Sequence, residues 1–275
     1  LSTQVLKLDV PEDRGYWPGA REGQARESAP RSSFAALGAL PALLSAAELA
    51  YKAKQFDDGL YAAVELAAER GAGDFPGKRG LLQRLAASVG GIEPRRGPAV
   101  VVAAAQLGGH EVKAPRGLAD AVERERSEFL GDARRSKPIG FYTWSEQLMR
   151  IFRQDRMLQT PLKPAEATAL AGALRKDTAL LAAYDRWLAL PRRLTNPYVI
   201  PGLGQLARGA EPKKKKYALL PPSRSHETEL AKKLYGNRPI PPGFNLADEM
   251  IKRIRAGKLS LAPTAGSGWY DHQVH

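Results

Sequence analysis

The stretch 141–159, FYTWSEQLMRIFRQDRMLQ, carries the densest large apolar side chains in the chain, and they are set at helical spacing. Trp144, Leu148, Ile151, Phe152 and Leu158 would lie along one stripe of a helix and bury it. Thr143 and Glu146 fit a capping box, in which the hydroxyl takes one free backbone N–H and the carboxylate reaches back for another. Arg150, Arg153 and Arg156 fall off the stripe, and Glu146 stands four residues before Arg150 as a surface pair. The pattern predicts a core helix around which the rest packs.

Upstream, apolar spacing predicts a series of shorter helices. Ser45 caps one over 46–56, with Leu49 and Ala53 inward. Asp57 or Asp58 caps a second, which carries Leu60, Tyr61, Val64 and Leu66 and stops near Gly71. A third spans about 79–89. Residues 98–107 form a fourth or, at VVVAA, a buried strand. Residues 117–133 read as a charged helix with Leu118, Val122 and Phe129 inward. Its carboxylates Glu123, Glu125, Glu128 and Asp132 are assigned to a solvated face. Lys137-Pro138 ends it. A long helix is expected over 164–190, with Leu170, Leu174, Leu180, Leu181, Tyr184, Trp187 and Leu188 inward and Gly172 a weak spot.

The flanks lack this periodicity. Residues 1–33 read as an extended arm, with a loose alternation over 4–10 and Tyr16 and Trp17 as apolar points. Prolines at 191, 197, 201, 212, 221 and 222 preclude a continuous helix over 191–224. Two short helices, about 225–235 and 246–256, flank a polyproline-like NRPIPPGF. The expected fold is therefore mainly α: an irregular multi-helix domain with long extended N- and C-terminal segments and little or no β. Its parts are an N-terminal arm (1–33), a helical core domain (34–190) and a Pro-rich wrapping segment with two short helices (191–275).

Composition narrows the function classes. The net charge of +13 is spread unevenly, at +1 over residues 1–100, +5 over 101–200 and +7 over 201–275. Such a surface attracts acidic proteins, nucleic acid or anionic headgroups. The absence of cysteine excludes disulfides, thiolate metal sites and cysteine nucleophiles. No run approaches 18 apolar residues, so no membrane-spanning helix is expected. The chain opens on Leu1 with no signal-peptide pattern, which leads us to expect a processed product or part of a longer polypeptide.

Three apparent motifs fail on chemistry. GAGDFPGKR, residues 71–79, suggests a phosphate loop, but it has Ala72 and Arg79 where glycine and Ser/Thr are required, and it follows a helix. Gly202-Leu203-Gly204 lacks a third glycine. Gly266-Ser267-Gly268 has the wrong spacing for a nucleophile elbow. His110, in a Gly-flanked turn, reads as an exposed loop residue.

The tail offers more. His272 and His275 are three apart, and with Asp271 and the upstream His226 they form the candidate ligand set for a divalent metal. Ser267, Trp269 and Tyr270 put backbone N–H groups beside aromatic faces, a setting for a small polar ligand. Lys213, Lys214, Lys215 and Lys216, the only block of consecutive like charges, are the candidate contact for an anion.

These features lead first to a basic helical interaction protein, a subunit or processed part of a larger assembly whose partner is a protein or the remainder of its own chain. The alternative is a metal- or small-ligand-dependent enzyme built on the tail. A second alternative is a binder of an anionic polymer such as nucleic acid, whose affinity would fall steeply with salt.

Overall fold

The computed structural model describes residues 46–224, 243, 245–268 and 271–272. It is mainly helical, with ten α-helices and no sheet among those residues. The chain divides into two compact units, residues 1–57 and 58–275. Of the first, only the opening of helix α1 (Ala46–Arg70) is described. The N-terminal arm, its loose strand over 4–10, the helix expected at 225–235 and all of NRPIPPGF except Gly243 lie outside the described residues.

The second unit is built around α3 (Arg96–Leu107) rather than the stretch with the largest side chains. Every residue from Ala99 to Ala105 is buried. A helix that is apolar on all sides can satisfy its whole surface only by being surrounded. Its neighbours are α2 (Gly77–Ser88), α4 (Ala119–Gly131), α6 (Glu146–Leu158) and α7 (Pro164–Arg175). The valine run favours a strand locally, but Ala and Gly on either side let four helices approach closely and the helix wins. Arg96, at its start, reaches Glu125 at 3.0 Å and Glu166 at 3.5 Å. Glu125 is consequently buried, not on a solvated face.

Several boundaries differ from the sequence reading. The helices expected at 46–56 and from 57 onward are one helix, because Asp57-Asp58 supplies no helix-breaking residue. The cap of α6 is Ser145, whose hydroxyl accepts from Leu148 N at 3.2 Å. Thr143 instead closes a 3₁₀ turn (Gly140–Thr143) by donating to Gly140 O at 2.9 Å. With the start moved by two residues, Trp144 precedes the helix and is 45% exposed, whereas Leu148, Ile151, Phe152 and Leu158 are buried as the stripe requires. The expected 164–190 helix breaks at Asp177, whose carboxylate caps α8 (Thr178–Leu194) by accepting from Leu180 N. Helix α8 passes through Pro191, which sits within one turn of its C-terminus. A proline that near the end forfeits only one ladder bond.

After α5 (Ala133–Ser136) and the helices above, the Pro-rich segment re-enters the core of this unit. It contributes the short α9 (Gly204–Ala207) and the buried residues Leu203, Leu206, Tyr217, Ala218 and Leu219. Tyr184 ties it down: its hydroxyl donates to Leu219 O at 2.9 Å and accepts from Leu203 N at 3.0 Å. Leu162 and Tyr217 exchange both backbone hydrogen bonds. Such pairing satisfies backbone groups that buried irregular chain would otherwise strand. Helix α10 (Leu246–Arg255) follows.

Candidate functional site

The chemistry collects under α1. Glu65 and Glu69 lie four residues apart on that helix and so share a face, an arrangement that is repulsive on its own. The following turn is GAGDFPGKR. Ala72 and Phe75 pair through their backbones, and Gly71 and Gly77 both have positive φ, at 91° and 75°. A Cβ on either would overlap the backbone of the opposing arm of the turn. Only glycine permits this closure. It delivers Lys78, at the start of α2, directly beneath the two glutamates.

Lys78 is buried, with its side chain 2% exposed. Its Nζ donates to Glu65 Oε2 and to Asp155 Oδ2, each at 2.7 Å, and Glu69 Oε2 stands 4.0 Å away. Asp155 comes from α6, so three helices meet at one ammonium. Burial alone would lower the lysine's pKa. Asp155, Glu65 and Glu69 outweigh it and hold the pKa above its ordinary value, so the side chain stays charged.

Behind this group lies a relay. Gln154 Nε2 donates to Glu69 Oε2 at 2.9 Å and to Asp155 Oδ1 at 3.3 Å. Its Oε1 must therefore accept, and His110 Nε2 stands 2.7 Å from it, which places the imidazole proton on Nε2. His110 is buried, contrary to its reading as an exposed loop residue. The Gly108-Gly109 turn folds it back beneath α6. Glu69 Oε1 is 3.1 Å from His110 Nε2, but the N–H is directed at Gln154. That oxygen is left without a hydrogen bond.

Burial raises the Asp155 carboxyl, Lys78 opposes the rise, and Glu65 and Glu69 add to it, so its pKa is pushed up to about 7. Burial also raises Glu69, but the His110 ring nitrogen 3.1 Å from Oε1, together with Lys78 and Gln154, outweighs it and leaves its pKa below the usual value. Tyr142, from the 3₁₀ turn, donates to Glu65 Oε1 at 3.1 Å. Burial and the adjacent carboxylates drive its pKa well up, so it remains a neutral donor.

The cluster is graded in exposure. Side chains of Glu69 and His110 are 6% and 3% exposed, whereas Asp155 and Glu65 reach 13% and 24%. The two more exposed carboxylates, with Tyr142, form the floor of a groove of about 220 Å³. Tyr61, Phe152, Trp187, Leu190 and Tyr198 line its walls. A larger cavity, of about 380 Å³, lies between α2 and α8. Its two arginines are already committed: Arg84 grips Asp177 and Arg186 grips Asp74, each through two hydrogen bonds. We therefore place the site in the smaller groove.

The candidates read from the sequence lie elsewhere. Asp271 is buried: Oδ1 accepts from Asn196 Nδ2 at 2.6 Å, and Oδ2 stands 3.5 Å from Arg224 Nη2. Asn196 Oδ1 accepts in return from Gly268 N and Asp271 N. His272 is exposed. Ser267 Oγ accepts from Thr264 N at 2.8 Å, closing a turn. His226, His275, Trp269 and Tyr270 lie outside the described residues. Among the described residues, no three His, Asp or Glu side chains are grouped to hold a metal ion. At the Lys78 cluster the ammonium occupies the position a cation would take. Lys213, Lys214, Lys215 and Lys216 are exposed on the loop before Tyr217.

No membrane-spanning helix is present among the described residues. Comparison with protein-family models finds no match, and searches of curated proteins and of solved structures find none either.

Proposed function

We propose that the chain binds a small molecule in the groove above Lys78 and exchanges a proton with it through Asp155. The observation that carries this reading is the pair of carboxylates, Glu65 and Asp155, sharing one ammonium sealed from water while their own edges face the groove. A carboxyl that titrates near neutrality in a cleft can both accept and return a proton at ordinary pH. Tyr142 supplies a neutral donor beside it, and the aromatic walls would cover the body of a ligand while the floor fixes its polar end. The floor is acidic on balance, which favours a ligand carrying an ammonium or several hydrogen-bond donors. The test is a thermal-shift screen of small amines, polyols and acids against the wild type and Asp155→Asn. Amine hits that stabilise the wild type and weaken tenfold or more in Asp155→Asn are expected. A screen with no amine hit would remove the reading.

A second reading, a helical interaction protein, is favoured by a separate observation. Ile139 and Trp144, at either end of the 3₁₀ turn, are 66% and 45% exposed. Large apolar side chains grouped on a surface often mark a docking site. Sedimentation of wild type and Trp144→Ser would test it, with loss of an assembly expected in the variant.

A further inference from the structure

Arg156 follows Asp155 on α6 and lines the same groove. Its guanidinium is half-buried and donates through Nη1 to Gln159 Oε1 at 2.7 Å. It is ion-paired with no carboxylate among the described residues. Burial first, and then the charge of Arg135, disfavour its charged form, with only Asp132 acting the other way. Arg135 is itself committed to neutral partners: it donates to Thr160 Oγ1 at 2.8 Å and lies over the Phe129 ring. Two guanidiniums in mutual repulsion, one of them half-desolvated at a groove wall, make a costly arrangement that a bound anion would relieve. The planar fork of arginine matches the two oxygens of a carboxylate or phosphate.

We infer that Arg156 is the oxyanion-binding end of the groove, and that the ligand is a small zwitterion with its ammonium at Glu65 and Asp155 and its oxyanion at Arg156. This rests on the groove being a ligand site, as proposed above. Groups of opposite sign and aromatic side chains share the lining, so a ligand with a short apolar linker between its charged groups matches it.

The experiment is isothermal titration at low ionic strength and pH 7.5, where Asp155 is mostly ionised. The probes are pentylamine, 5-aminopentanoate and 5-aminopentyl phosphate, titrated into wild type and Arg156→Gln. At least one zwitterion should bind the wild type tenfold or more tighter than pentylamine, and which one gains separates carboxylate from phosphate. That gain should vanish in Arg156→Gln while pentylamine keeps its affinity. Arg156→Met serves as a second variant should Arg156→Gln fail to fold, and a gain that persists in either folded variant would overturn the assignment to Arg156. Equal binding of amine and zwitterions would overturn the inference and leave the acidic site standing. Absence of binding by all three would overturn both.

Discussion

Lys78 Nζ and Asp155 Oδ2 stand 2.7 Å apart although 77 residues separate them in the chain, and the buried lysine cannot leave the contact for water. The lysine reaches that position only because the turn before α2 is closed by two glycines. The aspartate reaches it because α6 packs on the central helix. The ammonium neutralises carboxylates contributed by two other helices, so it is the electrostatic keystone of this part of the fold.

Lys78→Met should therefore be severely destabilising. It keeps the length of the side chain but leaves Glu65, Glu69 and Asp155 without their cation. Breaking a buried pair from one side costs roughly 3–5 kcal/mol. Urea unfolding at pH 7.5 should show this loss, and lowering the pH toward 5 should restore part of it as carboxyls take up protons. A variant as stable as the wild type would show that the cluster contributes no net electrostatic dependence.

Stability should also depend on pH with a defined sign. Folding raises Asp155 from an ordinary 3.8 to about 7, so the native state holds a proton that the unfolded chain has released. The stability this confers is fully present at low pH and is lost as pH rises through about 7. Glu69 acts oppositely: its contribution is present above its ordinary 4.5 and is lost as pH falls through its lowered value. Asp155→Asn should flatten the decline between pH 4.5 and 7.5. Parallel curves for wild type and variant would contradict the assignment.

Two glycine-to-alanine substitutions should have opposite signs. At Gly108 a Cβ would overlap Gln154 Oε1 and crowd His110 Nε2, so Gly108→Ala should break the His110–Gln154 contact and lower the thermal midpoint by several degrees. Gly172 sits in α7 with nothing near its Cβ position. Gly172→Ala should stabilise the chain by about 0.5–1 kcal/mol, chiefly through the unfolded state. Calorimetry on the two variants checks both.

The Asn196–Asp271 contact should hold the C-terminal segment in place. Asn196 donates to Asp271 Oδ1 and Arg224 O and accepts from Gly268 N and Asp271 N. Asn196→Ala removes all four bonds at once. Trypsin should then cut after the exposed Lys258 several times faster, at little cost to the global unfolding midpoint. An unchanged cleavage rate would show that the segment is held by other contacts.

The sequence by itself determined the class of fold and much of its core. Leu148, Ile151, Phe152 and Leu158 are buried as their spacing requires, and so are Leu170, Leu174, Tyr184 and Trp187. Periodicity reports which face of a helix avoids water, and that is a local property. It could not say that 96–107 would be the enclosed helix, since enclosure depends on how many neighbours can pack around it. Nor could it separate Thr143 from Ser145 as the cap, because both residues carry the required hydroxyl.

Only the tertiary structure decided the site. Lys78, Glu65, Glu69, His110, Gln154 and Asp155 are scattered over 91 positions, and each carries a side chain that normally faces solvent. The two signals that existed were indirect: an i,i+4 glutamate pair with no Lys or Arg three or four residues from either member, and a Gly-rich turn ending in a lysine that made no sense as a phosphate loop. A charge is buried only when its counter-charges are buried with it, and those came from two helices other than the lysine's own. Periodicity along one segment carries no information about which distant segment will supply the opposite sign.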